Sequence, residues 1–155
     1  MAENYIEMEL RELQIVDDLG VTQIVVLGEA DGGKRSFPIF IGTNEAEALE
    51  VAMHRHTARR PMTHDLILNV IEGTGATLER VMVVKLENDT FYGALELRLA
   101  TGETVQIDSR PSDAIVLATK RQVPIFVEEE VLNEVQRASG GQPGPEDDEE
   151  EESEP

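Results

Sequence analysis

The chain has 155 residues and no cysteine, is 40% apolar but only 4% aromatic, and carries a formal charge of −19. That length suits one domain with a core of aliphatic side chains, and the missing cysteines exclude a disulfide framework and a thiolate zinc site. The last sixteen residues hold eight of the 32 acids and no base, leaving 24 acids against 13 bases before them, so general attraction of nucleic acid is excluded and a polyanion would have to be met by a local basic patch or a bound ion.

The opening MAENYIEMEL alternates apolar and charged residues and lacks the unbroken apolar stretch of a signal peptide. The longest apolar runs, IVVL and VMVV, are too short to span a bilayer. A soluble, cytoplasmic protein with no membrane partner is expected. Alternation over 5–15 predicts a first strand. Strands follow at about 21–29 and 35–42, joined by the turn residues Asp31, Gly32 and Gly33. The period then changes: Ala48, Leu49, Ala52 and Met53 make one helical face in TNEAEALEVAMHRH, and Asn44 with Glu47 suggests a capping box. A shorter helix is expected after Pro61, capped by Thr63 and closed by Gly73.

Three strands are expected next, in ATLERVMVVKLEN, FYGALELRLA and TVQIDS, with turns at Asn88-Asp89 and Thr101-Gly102. RPSDAIVLATKRQ reads as a helix with Pro111 in its first turn. VPIFVE and EEVLNEVQRAS read as a last strand and a last helix. Residues 1–139 form one domain in this reading, and 140–155 form a disordered acidic tail. The pattern Thr43…Glu47-Ala48-Leu49 is echoed by Ser109…Asp113-Ala114-Ile115, which fits either a duplicated strand–strand–helix unit or reuse of a good strand-to-helix junction.

All three histidines lie in one segment, HRHTARRPMTHD (54–65), with three arginines. His54 and His56 fall at a helix end, where cations are favoured. On a helix, two residues apart means nearly opposite faces, so the pair could share a metal only if the chain is extended there. His64 falls in the first turn of the next helix, where a neutral imidazole could take a proton near neutral pH. Two junctions share a composition: Arg60-Pro61-Met62-Thr63-His64-Asp65 and Arg110-Pro111-Ser112-Asp113. Each combines a guanidinium, a fixing proline, a hydroxyl and a carboxylate at a helix start, where free N–H groups favour phosphate. Ordinary capping explains one such junction; two suggest a shared anion site. Cutting a phosphodiester generally calls for a divalent ion, magnesium or manganese, held by several oxygens. Asp65, Asp108 and Asp113 are the expected ligands, with Glu45 and Glu47 behind them. No nucleotide-binding glycine loop, zinc-protease motif or nucleophile elbow is present. Of Phe91 and Tyr92, whichever faces inward is expected to fill the core.

In PIFIGTNEAEAL (38–49), RPMTHDL (60–66), FYGAL (91–95), IDSRPSDAI (107–115) and VPIFVEEEVL (123–132), the chain resembles the bifunctional nuclease family. The resemblance implies an α+β fold of strongly bent mixed and antiparallel sheets with three to four helices, and an assembly of more than one subunit. It also implies nuclease activity on DNA and RNA with a divalent ion. The leading expectation is therefore a metal-assisted phosphodiesterase. Arg60, Thr63, Arg110 and Ser112 would bind substrate, Asp65, Asp108 and Asp113 would hold the ion, and His64, Asp65 and Asp113 would do the chemistry. The rival is a non-enzymatic, oligomeric module that binds an anion or an acidic protein segment. Both require the two Arg-Pro junctions to share one pocket.

Overall fold

The computed structural model describes residues 4–17 and 21–140; of the expected tail, 140–155, Gly140 is instead the last residue of a helix and 141 onward lies outside the described residues. Strands β1 (Tyr5–Asp17), β2 (Val21–Glu29) and β3 (Ser36–Ile41) lead into helices α1 (Thr43–Met53) and α2 (Thr63–Gly73). Strands β4 (Thr77–Glu87), β5 (Thr90–Arg98) and β6 (Thr104–Ser109) lead into α3 (Pro111–Arg121). Strand β7 (Ile125–Glu128) and helix α4 (Glu129–Gly140) follow. The class is α+β: four helices on one open, mixed, seven-stranded sheet ordered β3-β2-β1-β7-β4-β5-β6.

Each half of the sheet is an antiparallel meander, β1-β2-β3 and β4-β5-β6. Strand β7 lies between them, antiparallel to β1 and parallel to β4. Each meander delivers the chain to a helix, α1 or α3, and those two helices pack on each other. The sequence echo between the two junctions thus coincides with equivalent places in the two halves.

Turn chemistry explains the hairpins. Asn88 and Asp89 both have positive φ, 50° and 60°, as a two-residue turn matching the strand twist requires. Strand β4 buries three residues in succession, Val81, Met82 and Val83, each at most 2% exposed. Successive strand residues point to opposite faces, so the centre of the sheet is covered on both sides. The core is aliphatic, built on residues such as Leu27, Leu49, Leu68, Ile115 and Leu132, with Phe37 as its large aromatic. Phe91 packs toward Phe37, ring centroids 5.5 Å apart. Its neighbour Tyr92 faces outward, with the Lys85 amine 4.3 Å from its ring centre. The division of the two aromatics expected from alternation is therefore observed.

Capping departs from expectation. The residue ahead of α1 is Gly42, with no side-chain cap bond, so Asn44 and Glu47 make no capping box. Thr63 is the first helical residue of α2 and Met62 precedes it. The Met62 N–H donates to Asp65 Oδ2 at 3.0 Å, so a carboxylate in the first turn reaches back to the residue ahead of the helix. Among the described residues no helix is long and apolar enough to cross a membrane.

Candidate active site at three helix starts

The two Arg-Pro junctions meet. A cavity of about 450 Å³ is lined by first-turn residues of α1 (Asn44, Glu45), of α2 (Thr63, His64, Asp65) and of α3 (Asp113), together with Glu47, Arg110 and Lys120. Three helix N-termini therefore converge on one space, each equivalent to roughly half a positive charge. Their free N–H groups and dipoles suit an anion.

Across the cavity, His64 Nε2 lies 2.9 Å from Asp113 Oδ1, joining the start of α2 to the start of α3. Arg110 Nε donates to Asp113 Oδ2 at 2.8 Å, and a terminal guanidinium nitrogen donates to Glu45 Oε1 at 2.8 Å. One arginine thus holds the starts of α1 and α3 together. Burial pushes the Asp113 carboxyl up, but hydrogen bonds from Arg110 and His64, with their charges, outweigh it and hold the group below its usual value. Glu45 is also held low, first by the Arg110 hydrogen bond. Its two carboxylate partners raise Arg110 further above an already basic value. Asp65 is lowered first by Lys120, whose amine sits 2.9 Å from Oδ1, and then by the Met62 N–H.

His64 is mostly buried, its side chain 12% exposed. Its other ring nitrogen, Nδ1, makes no hydrogen bond among the described residues. No buried side-chain polar atom is left without a partner there, so Nδ1 keeps contact with solvent. With Nε2 held by a carboxylate, the second nitrogen is the one free to act as a base in a fixed tautomer.

Close approach of backbone positions the α3 junction. A Cβ built on Gly93 of β5 would lie 2.9 Å from the Ser109 carbonyl oxygen and 3.1 Å from the Pro111 nitrogen. Only glycine lets the strand-to-helix turn bearing Arg110 and Asp113 sit this deep against β5.

Of the residues expected to form the site, His64, Asp65, Asp113, Arg110 and Thr63 line the cavity, whereas Arg60, Ser112 and Asp108 do not. Ser112 is half-buried in the first turn of α3, and Arg60 is exposed ahead of α2. Asp108 is exposed on β6, opposite Ala94 of β5. The three aspartates consequently fail to surround a common point, and among the described residues no three His, Asp or Glu side chains are placed to hold a metal ion. Magnesium and manganese want several free oxygens. Here Asp113 has both oxygens engaged by His64 and Arg110, and Asp65 has both engaged by Lys120 and Met62. The expected ligand set does not fit a divalent ion in this arrangement.

Lys120 was not among the expected site residues, and His56 was expected only as a helix-end residue. Lys120 lies seven residues beyond Asp113 on α3, two turns along the same face, a spacing that could have revealed it. His56 reaches the cavity because α1 stops at Met53 and Arg55 turns left-handed, φ 54°. The chain leaves the helix there, and the His54 and His56 rings approach to 6.1 Å instead of pointing apart. Both histidines are exposed, as residues at a helix end would be.

The α+β fold brings a His-Asp pair and a bridging arginine together at helix starts around one cavity. The bifunctional nuclease domain family matches residues 25–139, and the chain belongs to that family. An uncharacterised protein of Mycobacterium tuberculosis is 36% identical over 124 residues, covering 80% of this chain and 73% of that protein. Bifunctional nuclease 1 of Oryza sativa subsp. japonica and bifunctional nuclease 1 of Arabidopsis thaliana are each 29% identical over 105 residues. That match covers 66% of this chain but only 32% of each plant protein.

Proposed function

We propose that the protein hydrolyses phosphodiester bonds of DNA and RNA in the cavity at the three helix starts. The observation that carries this reading is the 2.9 Å contact between His64 Nε2 and Asp113 Oδ1 across the pocket. His64 takes a proton from water through Nδ1 as the water oxygen attacks phosphorus. The bond to the leaving sugar oxygen then breaks, and that oxygen takes a proton from solvent. Asp113 keeps the imidazole in the productive tautomer and stabilises its charged form. Arg110, Lys120 and the helix N-termini meet the phosphate charge that builds up in the transition state. Water as nucleophile needs no 2′-hydroxyl, so one site serves both nucleic acids. The nuclease names of the plant relatives agree with this reading.

The experiment is cleavage of labelled DNA and RNA oligonucleotides by a highly purified preparation, with magnesium, with manganese and with chelator. Cutting that is abolished by His64→Ala with the fold intact supports the proposal. Absence of cutting in all three conditions, or equal cutting by His64→Ala, ends it. The non-enzymatic reading draws on the paired state of Asp65 and Asp113; under it, the protein binds phosphate or a sulfate-like anion in the same pocket and cuts nothing.

Assembly from more than one subunit belongs to the same proposal. It draws support from a wholly apolar groove of about 330 Å³ between α2 and strands β5 and β6, with Leu66, Val70 and Ile107 exposed along it. The groove adjoins β6, an open edge of the sheet, and a second copy of the chain would cover both.

A further inference from the structure

The distribution of unpaired positive charge points beyond the cavity. Of the 13 lysines and arginines, eight are held by carboxylates: Arg11, Arg35, Arg80, Lys85, Arg98, Arg110, Lys120 and Arg121. Among the described residues the other five make no ion pair, and three of them, Arg55, Arg59 and Arg60, lie in the single loop between α1 and α2. All three are exposed.

Helix-end compensation explains only part of this. Arg55 follows the end of α1, where a cation is favoured. Arg59 and Arg60 stand just ahead of the α2 N-terminus, where the same dipole disfavours them. Neither finds a carboxylate, in a chain with more than twice as many acids as bases. The same loop forms part of the cavity wall through His56 and Ala58. A second depression of about 230 Å³ adjoins it, reached past His56, Asp65 and Lys120, which line both, and lined further by Arg55, Thr57 and Arg121. The path from His64 therefore continues past Arg55 at the start of the arginine loop.

We propose that the loop of residues 55–60 is a strand-holding arm that grips the phosphates flanking the one in the cavity, making the site selective for polynucleotides over small phosphate esters. This deepens the proposed nuclease reading and rests on the same cavity. From Arg55 to Arg60 the chain can span at most about 17 Å, room for several consecutive phosphates of a single strand. The acidic remainder of the surface repels the strand elsewhere, so contact is confined to the arm and the pocket it borders.

The test reads binding apart from cleavage. Full-length protein carrying His64→Ala is titrated against a fluorescein-labelled single-stranded 20-mer between 50 and 200 mM NaCl, with anisotropy as the signal. The same is done with Arg55, Arg59 and Arg60 all changed to Ala, and with all three changed to Lys. Each phosphate neutralised on a single strand contributes about 0.7 to the slope of log affinity against log salt, so losing three lowers the slope by about 2. Over that salt range the alanine variant should therefore lose roughly twentyfold of the salt sensitivity. The lysine variant, which keeps the charges, should retain the slope; a merely structural role for the loop would not separate the two. An unchanged slope in the alanine variant, or no measurable binding before substitution, overturns the arm. If binding behaves as expected while the unsubstituted protein cuts nothing, the arm stands and the nuclease reading falls. If cutting is observed and the slope does not move, the reverse holds.

Discussion

Asp113→Asn asks whether His64 works through one particular tautomer. The Asp113 carboxylate accepts a hydrogen bond from Arg110 Nε at 2.8 Å and contacts His64 Nε2 at 2.9 Å. Asparagine has the same shape but offers one oxygen and one NH2 group. A guanidinium N–H can only donate, so the amide oxygen stays with Arg110 and the NH2 turns to His64. Nε2 must then accept, which moves the ring proton to Nδ1, the nitrogen proposed to act as the base. The base is lost with the ring still in place. A positioned base contributes about 10²–10⁴ in rate, equivalent to roughly 3–5 kcal/mol of the barrier. Stability should change far less. The Asp113 side chain is 26% exposed and one of its two bonds is exchanged, not removed, so about 1 kcal/mol is expected, or about 2–4 °C in Tm.

The pH dependence has a definite sign. The folded carboxyl lies below its ordinary value of 3.8, so its stabilisation is complete above that value and is lost as pH falls through the lower folded one. The Tm difference between the parent and Asp113→Asn should thus be constant near neutrality and close below about pH 4. The assays are kcat on an oligonucleotide from pH 5 to 9 and thermal melts followed by circular dichroism. A variant that cuts within fivefold of the parent, or a Tm difference that does not narrow as pH falls below about 4, refutes the tautomer argument.

Gly93→Ala forces a methyl group against the backbone of Ser109 and Pro111; a loss of about 1–3 kcal/mol is expected, and activity well below Tm should fall because Arg110 and Asp113 move with the turn. Calorimetry and steady-state kinetics check it, and two unchanged values would show that the close approach is not what sets the junction. Lys120→Met keeps the buried stem but strips Asp65 of its partner, so Tm should drop by a few degrees and inorganic phosphate binding, read by titration calorimetry, should weaken about tenfold. Undiminished phosphate affinity would remove Lys120 from the site. Light scattering should report a mass above that of one chain, and Val70→Glu, placing a charge in the apolar groove, should return it to one; a monomeric parent contradicts the assembly.

Strands and helices were legible because local pattern and tertiary burial agree. Alternation in YIEMELRELQI, the Asn88-Asp89 turn and Pro111 in a first turn each act over a few residues. The caps of α1 and α2 were not, because the sequence rule weighs side chains such as Asn44 and Thr63 while the chain enters the helices earlier, at Gly42 and Met62. The meeting of the two Arg-Pro junctions could be posed from composition. Its partners could not be named, because Glu45 reaches Arg110 across 65 residues of chain and Lys120 reaches Asp65 across 55. Asp108 shows the limit of proximity in sequence: two residues from Arg110, it belongs to a strand whose pairing carries it outside the cavity.

Because the pocket takes one wall from the helix after the first meander and another from the helix after the second, it belongs to neither half of the chain. Either half could keep its own hairpins while the space between them is gone. Under the proposed function, cleavage is then a gauge of how firmly the two halves dock. Under mild denaturant it would fade while strand and helix content still read as native.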